Sequence, residues 1–177
     1  GPPSQYLGGK LCQVTLDNGT RAWAFGSCQY VQSAVRNVED HLAKAGEKLP
    51  FKAPTPLSSG YRPEIDVSSE LGDSDASYFH SLVGVLRWIV ELGRIDICGE
   101  VSMLSSYSMG PREGHLEAVL HIFSYLSSHD RSRIVMDDAY YPHQELEKPD
   151  WSQFYPEARD EVPPDMPEPR GKSVQIT

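Results

Sequence analysis

The sequence predicts an α+β protein: an N-terminal β-hairpin and helix, then a small three-helix bundle, then an extended Pro-rich acidic tail. Three observations predict it. Near the N-terminus, apolar and polar residues alternate by two on either side of an Asn-Gly pair. In four stretches between residues 28 and 127, apolar residues recur at spacings of three and four, the period of a helix with one buried face. From Asp137 onward that periodicity stops, and seven of the chain's fourteen prolines gather with ten acidic side chains.

Gly1 to Phe25 reads as β, with Lys10 to Leu16 as one strand and Arg21 to Phe25 as its return. Asp17-Asn18-Gly19 lies between them, and Asn-Gly is a strong hairpin signal because both residues tolerate a positive φ. Gly26-Ser27 offers an N-cap to a helix over 28–45, whose apolar stripe is Tyr30, Val31, Ala34, Val35, Val38 and Leu42, with Gly46 as its stop. Residues 47–77 carry four prolines and little periodicity and read as a long connection, with Asp73-Ser74-Asp75 capping the next helix.

Three helices follow. The first, near 76–92, buries Phe79, Leu82, Val83, Leu86, Ile89 and Val90 and stops at Gly93. The second, near 96–109, is capped by Asp96 and turns Ile97, Val101, Leu104 and Tyr107 inward. Gly110-Pro111 breaks it, and the third, near 112–127, presents Leu116, Val119, Leu120, Phe123 and Leu126. Short joints imply antiparallel neighbours. Arg133 to Met136 reads as one strand. The segment from Asp137 reads as a linker or an extended wrap, too polar to offset the entropy of ordering itself. Trp151, Phe154 and Tyr155 could dock it, and Ser173 to Thr177 look like the start of a strand. The organisation that results is 1–46, 47–77, 78–136 and 137–177.

The net charge of −9 is uneven. Residues 1–60 hold six basic and four acidic side chains, whereas 61–100 hold three and eight, and 137–177 hold four and ten. Only the first third could therefore offer the basic face that a nucleic-acid binder shows. Three widely spaced cysteines, Cys12, Cys28 and Cys98, argue against a disulfide framework and, with no C-x-x-C pair, against zinc. No apolar run approaches the roughly 20 residues of a membrane helix. The chain opens on Gly-Pro-Pro without a methionine, which is expected of an internal segment.

No pattern in the chain completes an active site. G-x-S-x-G, G-x-G-x-x-G and Walker sequences are missing. His115 and His121 stand six apart, so they leave opposite sides of a helix and cannot share a metal as an i, i+4 pair would. His80 and His115 read as interhelical hydrogen-bond partners or surface groups. Arg87, Glu91, Arg94, Asp96 and Glu100 read as ion pairs across a helix junction. Val135-Met136-Asp137-Asp138 is similar to the Y-x-D-D box of reverse transcriptases, whose adjacent carboxylates hold two Mg²⁺ ions. That box needs an apolar strand on each side, and here Ala-Tyr-Tyr-Pro-His follows, so these acids read as the solvated end of a strand.

YRPEIDVSSEL at 61–71, SLVGVLRWIVELGRIDI at 81–97, PREGHLEAVLHIFSYL at 111–126 and MPEPRG at 166–171 together resemble the copia-type retrotransposon polyprotein, in the region joining reverse transcriptase to RNase H. YLGGK, Tyr6 to Lys10, is similar to the start of that family's primer-grip and thumb portion. The resemblance covers nearly the whole chain in order. It implies that the Y-x-D-D strands lie upstream and the first RNase H aspartate downstream, so the segment has no catalytic residues and no metal of its own. Mg²⁺ is implied for the intact parent only. It implies that Tyr6, Leu7 and Gly8 hold a primer backbone, with Lys10 closing the same string. It also implies that helix 28–45 runs along the nucleic acid, with Gln29, Gln32, Arg36 and Lys44 as phosphate contacts. The partners so implied are an RNA–DNA primer–template and the neighbouring palm and RNase H domains. The location implied is intracellular, in a cytoplasmic particle and the nucleus. A second reading, from another class, is a stand-alone acidic helical module that binds protein.

Overall fold

The computed structural model describes residues 5–50 and 52–136. The acidic tail lies outside the described residues, and with it Asp137-Asp138, Trp151, Phe154, Tyr155 and the 173–177 strand.

The order is β1 (Gln5–Tyr6), β2 (Gly9–Thr15), β3 (Arg21–Gly26), α1 (Cys28–Lys44), α2 (Asp73–Glu91), α3 (Cys98–Ser105), α4 (Glu113–Ser128) and β4 (Ile134–Met136). Short 3₁₀ turns at Pro63–Ile65 and Ile95–Ile97 precede α2 and α3. The α+β class is as the sequence predicts, and the small sheet goes further than a hairpin. Its order is β1-β2-β3-β4 with every neighbour antiparallel. The strand after α4 returns to pair with β3, matching Trp23 to Met136, Ala24 to Val135 and Phe25 to Ile134.

At the β2–β3 turn the Asn-Gly pair does not take the two positive φ values it could tolerate. The register matches Thr15 to Arg21, which leaves residues 16–20 as the loop. Only Gly19 takes a positive φ, of 82°. Its N–H donates to the Leu16 carbonyl at 2.8 Å, and the Leu16 N–H donates to the Thr20 carbonyl at 2.8 Å. Asn18 contributes its side chain, whose Oδ1 accepts from the Thr20 N–H at 2.9 Å. The longer loop thus needs one left-handed residue rather than two.

The helices lie where the apolar spacing put them, but their caps differ. Ser27 stands at the N-cap of α1 without accepting a bond, because its ψ of 22° is outside the extended region a capping hydroxyl needs. Asp73 and Asp75 lie inside the first turn of α2, whose N-cap is Gly72. There the carboxylates favour the positive end of the helix dipole rather than bonding an amide. Asp96 does not cap a helix either; Arg94 takes its carboxylate, and α3 begins two residues later than expected and ends at Ser105. Three-residue hydrogen bonds from Ser106, Tyr107, Ser108 and Gly110 carry the chain on to Pro111.

Gly46 and Gly93 behave as stops for a stated reason. At Gly46, φ is 77°; its N–H donates to Ala43 and that of Glu47 to Leu42. At Gly93, φ is 99°; its N–H donates to Val90 and that of Arg94 to Ile89. Both are paired backbone closures that occupy the last free carbonyls and require left-handed backbone.

One apolar core joins all four helices. It contains Val31, Val35, Val38 and Leu42 of α1, Phe79, Leu82, Leu86 and Ile89 of α2, Val101 and Leu104 of α3, and Val119, Ile122, Phe123 and Leu126 of α4. Each fully buried side chain of this size is worth about 1.5–3 kcal/mol. The buried stripe of α4 is rotated from the expected one: Leu116 and Leu120 are only partly buried, while His115, Ala118, Ile122 and Ser124 turn inward. The sheet rests on the end of α2. A Cβ built on Gly93 would lie 2.9 Å from Ile134 Cδ1, and one on Gly9 would meet the Phe25 ring at 2.1 Å.

Gly93→Ala is therefore expected to destabilise the fold by about 1–3 kcal/mol, through left-handed strain and the clash with Ile134. Gly84→Ala, on the exposed face of α2 with open space around it, is expected to stabilise it by about 0.5–1 kcal/mol. Urea denaturation of the two variants measures both.

Candidate functional site

The turn between β1 and β2 consists of Leu7 and Gly8, with φ of 47° and 90°. Two left-handed residues in succession make the tight turn that matches strand twist. Gly8 adopts this readily, but Leu7 does so against the clash between its Cβ and the following carbonyl. Its side chain gains no burial in return, being 59% exposed. The turn rests on α1: a Cβ at Gly8 would be 3.9 Å from Tyr30 Cδ2. Tyr6 joins the strand pair opposite Gly9, and Lys10, exposed, stands opposite Gln5 on one side and Gly26 on the other.

Gln29, Gln32, Arg36 and Lys44 are all exposed on α1. At about 100° per residue they fall within an arc of roughly 120° opposite the buried Val31, Val35, Val38 and Leu42. Gln29 and Lys44 stand about 22 Å apart along the axis. The structure thus gathers the Leu7–Gly8 turn and the first turn of α1, and leaves Lys44 at the far end. Two of the four polar groups have internal bonds. The Gln32 amide donates to Asp130 Oδ2 at 2.5 Å, and Arg36 Nε donates to the Gln32 carbonyl at 3.3 Å. Asp40 occupies the same arc between Arg36 and Lys44. Tyr30, which the spacing assigns to the buried stripe, instead lies half-buried beneath the turn. Its place at the edge of that stripe was the only signal.

The strings at 61–71, 81–97 and 111–126 meet in two polar clusters. In the first, the Asp66 carboxylate accepts from Tyr61 Oη at 2.8 Å, from the Ser68 N–H at 2.8 Å and from Ser68 Oγ at 2.5 Å. Ser68 Oγ accepts in turn from the Gly114 N–H at 2.9 Å, so one of the free amides at the start of α4 is satisfied through it. Asp66 Oδ2 sits where Gly114 would carry a side chain. The Arg112 guanidinium donates to the Ser68 carbonyl at 2.5 Å and pairs with Glu70 at 3.3 Å. His115 accepts the Arg112 N–H on Nδ1 at 3.1 Å and donates from Nε2 to the Pro63 carbonyl at 3.1 Å, with Tyr107 stacked on its ring. The Ser68 hydroxyl bond, helped by those from the Ser68 amide and Tyr61, holds Asp66 below the usual carboxylate range despite burial. Burial, then the bond to Asp66, pushes the Tyr61 phenol up.

In the second cluster, Arg94 is 1% exposed and donates to both oxygens of Asp96, at 2.8 and 2.7 Å. Tyr125 Oη donates to Asp96 Oδ2 at 3.1 Å, and the Arg94 guanidinium stands 6.0 Å from the Tyr125 ring centre. Burial raises the Asp96 pKa, but Arg94's hydrogen bond and charge outweigh it and the net shift is downward. The expected ion pairing at the helix junction is thus Arg94 with Asp96; Arg87, Glu91 and Glu100 make no ion pair among the described residues. His80 and His115 do not bond each other; each takes a backbone carbonyl, His80 that of Ser108 at 2.8 Å. These clusters hold helices together.

Among the described residues no three of His, Cys, Asp or Glu gather as a metal site. Nor is any described helix long and apolar enough to cross a membrane. Two clefts stand out among the described residues. One, of about 260 Å³, runs between α1 and α2 and is lined by Tyr30, Val38, His41, Tyr78, Leu82 and Val85 among others. The second, of about 410 Å³, lies between α4 and the 47–61 connection. No family model, curated protein or solved structure matches the chain.

Two outcomes follow. Leu7→Gly is expected to raise stability by up to about 1 kcal/mol in denaturant titration, because the left-handed strain is released and no buried contact is lost. Asp66→Ala is expected to cost about 1–2 kcal/mol at neutral pH, through the lost bonds at the start of α4. The folded pKa of Asp66 lies below the ordinary value of about 3.9, so its charged form stabilises the fold above that pH. The gap between parent and variant should hold above about pH 5 and narrow as acid protonates the folded carboxylate.

Proposed function

We propose that the chain is the primer-grip, thumb and connection part of a copia-type reverse transcriptase polyprotein, and that it positions an RNA–DNA primer–template without catalytic carboxylates of its own. One observation carries the reading. The strained Leu7–Gly8 turn sits against the start of a helix whose solvent face presents Gln29, Arg36 and Lys44. A backbone held against its preference and kept exposed is the mark of a contact site. Backbone amides at the turn and cations spaced along a helix suit a phosphate chain read without regard to sequence. The contacts among the strings at 61–71, 81–97 and 111–126 support the resemblance, since those strings supply each other's polar partners. In the parent, Mg²⁺ and both active sites belong to the adjoining palm and RNase H domains, in a cytoplasmic particle or the nucleus. The acidic segments then face those domains or point away from the template.

The test is hybrid binding by the whole chain as salt is varied. Lys10, Arg36 and Lys44 make about three phosphate contacts at most, so the logarithm of affinity should fall against the logarithm of salt with a slope of about −2 to −3. Arg36→Ala with Lys44→Ala should lower that slope by about two and weaken duplexes of unrelated sequence equally. Absence of hybrid binding at low salt would falsify the gripping role.

A further inference from the structure

The cleft between α1 and α2 lies outside both polar clusters. Its lining includes the buried Val38, Leu82 and Phe123 and the half-buried Tyr78, with the exposed Asn37 and Ser81 at the rim. At about 260 Å³ it falls below the roughly 300–1,000 Å³ of small-molecule sites. A dry apolar cavity of about 150 Å³ holds a benzene ring, so this one has room for a single large aromatic side chain. Tyr78 adds a chemical requirement. Its Oη is buried and has no hydrogen-bond partner among the described residues, while the exposed His41 stacks on its ring at 3.9 Å. A buried hydroxyl left unpaired is costly, so a donor that reaches it is favoured.

We propose that this cleft is the docking site of the chain's own C-terminal segment, and that Trp151 is the side chain it takes, with Phe154 and Tyr155 lying over the rim. Reach, charge and chemistry select this occupant. Fifteen residue steps lead from Met136 to Trp151 and span up to about 50 Å when extended. Val85, in the cleft wall, stands about 12 Å along α2 from Gly93, on which Ile134 of β4 packs. The segment therefore arrives with slack. From Asp137 onward it holds ten acidic and four basic side chains. No Asp, Glu, Lys or Arg lines this cleft, whereas Glu47 and Glu117 line the other one, so the acidic segment meets no repelling carboxylate only here. Residues 151–156 carry three aromatic rings and no charge. An indole fills an apolar slot and also brings an N–H, which donates to Tyr78 Oη once the His41 ring turns aside. Neither nucleic acid nor the grip enters, so this inference and the proposed function fail separately.

The test uses the full chain with p-benzoylphenylalanine in place of Phe154, irradiated in dilute solution and mapped by mass spectrometry. Cross-links within one chain to residues 30–41 and 78–85 are expected. Trp151→Ala should cut their yield about fivefold, since most of the buried area leaves with the indole. Asn37→Asp with Ser81→Asp places two carboxylates at the exposed rim and should cut it by a similar factor. Ser102→Asp with Ser106→Asp adds the same charge at exposed positions on and after α3 and should change it less than about twofold. Cross-links that are absent, or confined to other parts of the chain, would overturn the proposal. So would an unchanged yield in Trp151→Ala or in the rim variant. Equal losses in the two acidic variants would show repulsion by net charge alone and overturn it. Cross-links between two chains, rising with concentration, would assign the cleft to a second copy and overturn it too.

Discussion

The pairing of β3 with β4 is the constraint on which the rest of the structure depends. Without it the N-terminal strands would be the β2–β3 hairpin with only the two-residue β1 at its edge, and so small a ribbon is marginal in water. Three matched residue pairs turn it into a sheet attached to the last helix. That attachment brings Ile134 and Phe25 onto Gly93, at the end of α2, and leaves the α1 side of the sheet to the Leu7–Gly8 turn. A left-handed glycine is needed at that point twice over. Its backbone closes α2, and its missing side chain is the space that Ile134 fills. The proposed grip is thus held by packing some distance from it, which is how an exposed, strained turn keeps its shape.

Polar groups do a different task in the helical part. Apolar spacing can bring four helices together, but it specifies poorly how each one starts. Here the starts are set by long-range bonds: Ser68 to the first turn of α4, Asp66 over Gly114, His115 to Pro63. The long connection before α2 is therefore an integral part of the bundle rather than a tether. Arg94 acts in the same way at the opposite joint, where its bond to Asp96 sets the 3₁₀ turn that leads into α3.

Much of this was legible in the sequence. Every helix followed from apolar residues at three and four, because a buried face leaves that period wherever a helix packs. Gly46 and Gly93 were legible as stops, since few other residues accept their backbone. Caps were less so. Asp73, Asp75 and Asp96 have the right chemistry for capping, but the choice among a cap, a dipole contact and an ion pair depends on neighbours that only the fold supplies. Asp66 and Ser68 were hidden for the same reason: their partner, Gly114, is distant in sequence. The residues proposed to grip nucleic acid, Tyr6, Leu7, Gly8, Lys10, Gln29, Gln32, Arg36 and Lys44, were named through resemblance alone, while the bond between Gln32 and Asp130 needed the return of the chain after α4. The cleft between α4 and the 47–61 connection could not be foreseen, because its walls come from elements that no local pattern relates.

The return strand also has a consequence in time. Strands β3 and β4 are matched across about 110 positions of chain, so closing that loop costs considerable entropy before any pairing is gained. The helices between them are made of local contacts and form first. A chain emerging from the ribosome exposes its N-terminal strands long before their partner is synthesised. Within this segment the strands made first are therefore completed last, and during that interval the open edge of β3 is free to pair with another chain.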